Sequence, residues 1–435
     1  MHETTHETEN VLERAAAAVR VVLLVPIRPA PTGNGLAMRA WRHAQAFRHD
    51  DLVVLVLPIA GDACELWRKA PSSELFDAIV VPVAPPQQRT YQQGFVSLLG
   101  QPAWRERLAR LEPMPTAARA AHPALVGYVR ETIDATVSSW APDAVIVFRS
   151  YLAPLGLALV ESFSPDRPSR RADAVPSDLC PPDQPRPRPR ALLDLDDDDV
   201  AVAIALGTGE EGAYARLVSV LSPEFDGVSV ASQHDAGAIG ERIGGSMQIQ
   251  LVPNSIEVPD GPLDYGARTN TVTMIANFTY PPNERGARWL LEEVWPRFEA
   301  EWGRHGRRAS RPVALRLVGP GRDRVDDIVS VYSEAAVMAV PIREGGGTRI
   351  KVLEAWALGR PVVSTSVGVE GLDAEHGRDA LIADSPDSFA EALLTVVENP
   401  NLAQRLIEGG RRSALRFRME AVEPVLRRMV LGPPW

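Results

Sequence analysis

The sequence predicts an α/β protein made of two Rossmann-like domains facing across a cleft. Two observations predict it. Short apolar runs rich in β-branched residues alternate with longer amphipathic stretches, the pattern of a parallel sheet wound with helices. That alternation starts near residue 19 and again near residue 271, so two units meet around Pro259. A length of 435 residues has room for two or three domains.

The elements follow in order. VRVVLLVP (19–26) is a continuous apolar run, which reads as a strand buried on both faces. The loop IRPAPTGNG leads into LAMRAWRHAQAFRHD, a helical pattern, and LVVLVLPIA (52–60) is the next strand. DAIVVPV (77–83) and DAVIVFRS (143–150) add strands to the same sheet, with a mostly helical stretch over 91–140 between them. Residues 162–190, SFSPDRPSRRADAVPSDLCPPDQPRPRPR, are rich in proline and arginine and read as a disordered insertion. ALLDLDDDD, GVSVAS and IQLVPNSIE resume the order. The second unit runs TVTMIAN, a helix over 284–302, VALRLVG, a short helix over 325–335, AVMAVPI, a glycine loop with its helix, PVVSTS and DALIADS, then helices to about residue 428.

Composition bounds the function. A formal net charge of −10 argues against a nucleic-acid partner, because phosphate backbones select basic surfaces. Two cysteines, Cys64 and Cys180, make neither a disulfide framework nor a metal pattern, so a reducing compartment is expected. The first apolar run carries Arg20 and is too short to span a bilayer, so a cytoplasmic protein is expected, with contact at the membrane face left open.

Two motifs are decoys. HETTH (2–6) is spelled like a zinc-protease helix, but it sits in a polar, Thr-rich tail with nothing to pack it. GTGEEG (207–212) matches the dinucleotide fingerprint and would support an NAD(P)-dependent oxidoreductase if VAVAIAL before it were a strand. Glu210 and Glu211 would repel a pyrophosphate there, and the acidic run 194–199 reads as the cap of a helix.

EGGGTRIKVLEAWALGRPVVST (344–365) places three glycines before a short amphipathic helix. Thr348 can cap that helix, Ile350, Leu353 and Ala357 supply a buried stripe, and Arg349 and Lys351 add positive charge to the helix N-terminus. Glu354 then projects elsewhere, either to a ribose hydroxyl or to an i,i+3 pair with Lys351. PTGNG (31–35), between the first strand and helix, could likewise approach a phosphate. On the residues alone, an anion site and a plain tight turn both stand at each loop.

This stretch resembles the signature of group-1 (family 4-type) glycosyltransferases of the GT-B fold. The resemblance continues in ANFTYPPNERGARWLLEEVWPRF (276–298), ALRLVGPG, VDDIVSVYSEAAVMAVPI and the run from DALIADS, and more loosely in LVPIRPAPTGNG, LLDLDDDD and VPNSIE. It implies a flexible tail over 1–18, an N-terminal acceptor-side domain over 19–258, a donor domain over 259–415 and a C-terminal helix over 416–435 able to cross back. It also implies a retaining sugar transfer, without metal or cofactor, from a nucleotide-sugar donor to an unidentified glycan, lipid-linked or small-molecule acceptor. Arg285, read as lying in the loop before the first donor-domain helix, and Lys351 would be catalytic. Gly33, Asn34, Gly35, Gly345, Gly346, Gly347, Thr348, Arg349, Ile350 and Glu354 would bind the donor. Two departures accompany the match. Gly346 stands where relatives place the first of two glutamates, with Glu344 two residues earlier, and only Arg322 and Asp323 connect VGPG to the following segment where the family has an extra helix and strand. A protein of this fold that binds a sugar nucleotide or a partner without turnover is the alternative. The family's N-terminal histidine has no evident counterpart; Arg149 and Ser150 stand at that strand end and read as surface residues.

Overall fold

The computed structural model describes residues 19–57, 79–82, 88–137, 140–163, 188–245, 247–265, 270–304, 312–323 and 327–432. The HETTH tail and residues 164–187 of the Pro/Arg-rich stretch lie outside them.

The first domain runs β1 (Arg20–Val25), α1 (Gly35–Ala46), β2 (Asp51–Val56), β3 (Ile79–Pro82), α2 (Gln88–Leu99), α3 (Pro102–Leu111), α4 (Thr116–Ala120), α5 (Val126–Thr136), β4 (Ala144–Phe148), α6 (Ala153–Ser162), β5 (Arg190–Leu195), α7 (Asp199–Leu206), α8 (Glu211–Leu221), β6 (Gly227–Val230), α9 (Gln233–Arg242) and β7 (Ile249–Leu251). The second runs β8 (Thr271–Ile275), α10 (Pro281–Trp289), a π turn at Leu290–Val294, α11 (Trp295–Arg304), β9 (Ala314–Val318), α12 (Ile328–Glu334), β10 (Val337–Val340), α13 (Ile350–Ala357), β11 (Val362–Ser364), β12 (Leu381–Ile382), α14 (Pro386–Glu398), α15 (Pro400–Ala414) and α16 (Met419–Leu431).

Both sheets are parallel, in the orders β3-β2-β1-β4-β5-β6-β7 and β12-β11-β10-β8-β9. Helices cover both faces of the first sheet, which explains why β1, β2, β4 and β5 are buried along nearly their whole length instead of alternating. One face packs with α3, α5 and α6, the other with α1 and, from the far end of the chain, Val422, Leu426, Met429 and Val430 of α16. Arg427 of α16 donates to Asp50 at 2.6 Å and to the Ala46 carbonyl at 3.0 Å. A separate core fills the second domain around Trp289, Phe298, Trp356 and Phe389.

A buried polar network ties α1 to the first sheet. Arg39 forks onto both oxygens of Asp194 at 2.8 Å, and His43 and Ser229 complete the ring around that carboxylate at 3.1 and 2.8 Å. Burial alone would raise the Asp194 carboxyl, but Arg39 and His43 hold it well below the usual range.

GTGEEG does not follow a strand. VAVAIAL is α7, capped by Asp198, whose side chain accepts from Val200 N at 3.0 Å, and closed by Gly207 in the left-handed region at φ 65°. The glycines join two helices, which removes the dinucleotide reading.

Candidate functional site

In open parallel sheets, ligands sit beyond the carboxyl ends of the strands where strand order reverses. Here that point lies between β1 and β4 in one domain and between β8 and β10 in the other. The loops leaving those four strands are PTGNG, the Arg149 turn, Asn277–Tyr280 and the glycine loop. The two sets face each other. A Cβ added to Gly35 would lie 3.4 Å from Ile350 Cδ1, one added to Gly346 would lie 3.6 Å from Ala201 Cβ, and one on Gly347 would run into the Asp197 carboxylate. Gly345 and Gly347 take φ of 90° and 81°, which only glycine adopts without cost. Beside them Asp198, Ala201, Ile204, His234, Asp235 and Glu370 border an open cleft.

The expected residues divide. Asn34 spends its side chain as the cap of α1, accepting from Leu36 N at 2.9 Å and Ala37 N at 3.3 Å, while Gly33 is exposed at φ 102°. Thr348 does not cap α13. Arg349 occupies the cap position without a side-chain bond, and Thr348 Oγ1 is buried with no partner among the described residues. Arg349 instead folds back, its guanidinium donating to the carbonyls of Gly345 (2.6 Å) and Gly346. Its charge therefore stiffens the glycine loop from behind. The helix after it is buried at Val352, Leu353, Ala355, Trp356 and Ala357, wider than the single stripe expected.

Arg285 lies inside α10 and not in the loop before it. It pairs with Glu344 and donates to the Ala205 carbonyl at 2.8 Å, so it bridges the glycine loop and the end of α7. Lys351 donates to Asn283 Oδ1 at 3.1 Å, and no pair with Glu354 forms. Burial first, then the nearby Arg349, push the Lys351 ammonium down to about 7. Glu354 accepts from the Tyr332 hydroxyl at 2.9 Å, and burial pushes its carboxyl up.

Arg149 is no surface residue. It is buried, sits at φ 70°, and reaches Asp197 at 2.9 Å, Asp196 at 3.8 Å and Asp199. Ser150 N donates to Asp199 at 3.0 Å. The signal for this was in the sequence: four consecutive aspartates after a buried strand need a cation, and the neighbouring strand ends in one. Asn283 and Tyr332 carried no such signal, since both act through partners remote in sequence.

Among the described residues, no group of three or more His, Cys, Asp or Glu is arranged to hold a metal ion, and no helix is long and apolar enough to cross a membrane.

Residues 269–399 match the model of the family described as "Glycosyl transferases group 1". An uncharacterized glycosyltransferase of Methanocaldococcus jannaschii is 29% identical over 102 residues, 23% of this chain and 29% of that protein. A 44.6 kDa protein of the cps region of Klebsiella pneumoniae is 25% identical over 152 residues, 29% of this chain and 37% of that one. The chain thus spans about a third of the length of the curated relatives it matches. Solved structures match over nearly the whole chain. HepE of Anabaena with UDP has a TM-score of 0.57 at 14% identity, covering 93% of this chain and 97% of that one. A trehalose-phosphate synthase of Burkholderia vietnamiensis reaches 0.61 at 13% identity, covering 96% and 100%. TarM reaches 0.61 at 10% identity, covering 94% and 98%. The fold is that of the GT-B glycosyltransferases, and the segment with the glycine loop carries the group-1 signature.

Proposed function

We propose that the protein is a glycosyltransferase that moves a sugar from a nucleotide-sugar donor to an unidentified acceptor, with retention and without a metal. The observation that carries this reading is the meeting of both switch points at one place: a glycine loop with bare backbone and the N-terminus of α13 meet Asp197 and Gly35 of the other domain, with the Lys351 ammonium held on Asn283 behind them. A diphosphate held against that backbone gains charge as the glycosidic bond breaks, and fixed positive groups stabilise that change most. Gly345, Gly346, Gly347 and Ile350 would cradle the diphosphate from one side, with Gly33, Asn34 and Gly35 across from them. Lys351 would face the leaving group, and Glu354 the ribose. Arg285 and Arg349 act partly through the loop they brace.

HepE has also been solved with UDP-glucose, so uridine diphosphate sugars are the first donors to test. The reaction belongs in the cytoplasm, with a peripheral membrane contact if the acceptor is lipid-linked. A thermal-shift panel of UDP, GDP, ADP, CDP and dTDP with their sugars, beside NAD, tests the reading. Stabilisation by one diphosphate class, lost in Lys351→Ala, supports it; silence from all of them removes it. A second reading, binding without turnover, is favoured by the Asp197 carboxylate lying against Gly347. A nucleotide that stabilises the protein, yet is neither hydrolysed nor used with any acceptor, would select it.

A further inference from the structure

The geometry points to Asn283 as the positioning residue for Lys351: its side chain fixes the ammonium beside the glycine loop without neutralising it. The inference rests on the donor-binding reading of the cleft.

Asn283 stands in the first turn of α10, behind two prolines that preset the helix start. Its Nδ2 donates to the Asn277 carbonyl at 2.8 Å, in the loop after β8, and its Oδ1 accepts from Lys351 Nζ at 3.1 Å. A carbonyl on one side and an ammonium on the other settle which way the amide faces. Only a side chain that donates at one end and accepts at the other satisfies both. Aspartate would set a carboxylate against the Asn277 carbonyl and form an ion pair with Lys351, cancelling the charge a diphosphate needs. Asparagine supplies the acceptor without setting a negative charge beside the ammonium.

Other groups around Lys351 are already committed. On its own helix, Arg349 donates to the glycine-loop carbonyls and Glu354 accepts from Tyr332 of α12, whose hydroxyl also reaches the Lys351 carbonyl at 3.4 Å. On α10, Glu284 pairs with Arg322 at 2.9 Å and Arg285 with Glu344. Arg42 of α1 acts on Glu354 from the other domain and bonds Gln45 at 2.7 Å. Asn283 is the polar side chain seen to hold the ammonium itself.

The test uses the full chain as wild type, Asn283→Asp and Asn283→Ala, with two readouts. Competitive acetylation of Lys351 by acetic anhydride, followed by mass spectrometry from pH 5.5 to 10, reports the protonation midpoint without any nucleotide. Titration calorimetry with UDP and with inorganic pyrophosphate over the same range reports anion binding. Asn283→Asp is expected to raise the Lys351 midpoint by at least about one pH unit, as a carboxylate in contact does. It should also weaken both anions about tenfold at pH 6. Asn283→Ala should weaken them about three- to tenfold at pH 6 by letting the ammonium wander. A merely structural role would lower affinity equally at every pH and leave the midpoint in place, and that result overturns the inference. Wild-type affinity in both variants overturns it as well. If no anion binds wild type at any pH, the donor-binding reading falls and takes the positioning role with it, whereas the acetylation midpoints still report whether Asn283 holds the amine.

Discussion

The carboxylate of Asp197 lies against Gly347, so that a Cβ at that position would overlap it. One residue comes from the acidic loop of the first domain and the other from the glycine loop of the second. Their contact measures how closely the two domains meet where the donor is proposed to bind.

Gly347→Ala is therefore expected to destabilise the protein through two separable causes. The φ of 81° costs an L-residue about 1–2 kcal/mol, and the clash with Asp197 adds to it. Asp197→Ala removes the second cause and leaves the first. Denaturant unfolding of wild type, both single variants and the double variant should give a coupling of about 0.5–3 kcal/mol, with the double variant more stable than the sum predicts. Simple additivity would mean the two residues do not meet in solution.

Lys351→Ala should lower turnover by roughly 10²–10³-fold, the usual loss when one preorganised charge contact to a transition state is removed. Arg285→Ala should also cost orders of magnitude, but by a different route, because it frees Glu344 beside the glycine loop. Glu344→Gln added to Arg285→Ala should then recover part of the loss, while leaving Lys351→Ala unaffected. Turnover within tenfold of wild type in both single variants would remove these residues from the catalytic role.

Much of this was legible in the sequence, for physical reasons that can be named. The double βα alternation gave the two parallel sheets, because strands buried on both faces must be apolar throughout. The aspartates before VAVAIAL marked a helix start, and Asp198 does cap α7. What could not be read was the second partner of each polar side chain. Thr348 looked like a cap, yet α13 starts at Ile350 and Arg349 takes the cap position. The aspartate run called for a cation, but only the pairing of β4 with β5 sets Arg149 against three of its members, Asp196, Asp197 and Asp199. Glu354 and Lys351 are spaced for a helical pair, yet each is taken by another helix, through Tyr332 and Asn283. Spacing along one helix is local information; competition from remote elements is not.

Stability should pass through a maximum in mild acid. Burial pushes the Asp235 carboxyl up to about 6, and burial with the adjacent Asp197 pushes Asp196 up to about 7. A carboxyl raised in the folded state binds more protons there than in the unfolded chain, so stability falls as pH rises from about 4 through these values. Asp194 has the opposite sign. Its depressed folded value contributes stability above about pH 4 that is lost as pH falls further toward that value. Asp235→Asn should remove part of the neutral-side slope, gaining on the order of 2 kcal/mol relative to wild type between pH 4 and pH 7. Chemical denaturation of the two proteins at several pH values checks it; parallel curves would show that Asp235 titrates normally.

Arg149 is expected to be the cation on which the acidic loop depends. Its side chain is 8% exposed, and it faces Asp196, Asp197 and Asp199 while its backbone continues the β4 ladder through the Asp194 carbonyl at 2.8 Å. Removing one partner of a buried ionic group leaves the others uncompensated, which costs about 3–5 kcal/mol. Arg149→Met should fall in that range at neutral pH. The loss should shrink on acidification, as the abandoned carboxylates take up protons. Adding Asp199→Asn to Arg149→Met should return part of the stability, because one buried charge is gone, although Ser150 N still has an oxygen to bond. Arg149→Lys keeps the charge but cannot fork among three carboxylates, so an intermediate loss is expected. Unfolding free energies for the four proteins at pH 5 and pH 7.5 decide the matter. A pH-independent loss in Arg149→Met would point to packing, and the aspartates would then be held by the helix start of α7 and by Arg242, which reaches Asp198 at 2.6 Å.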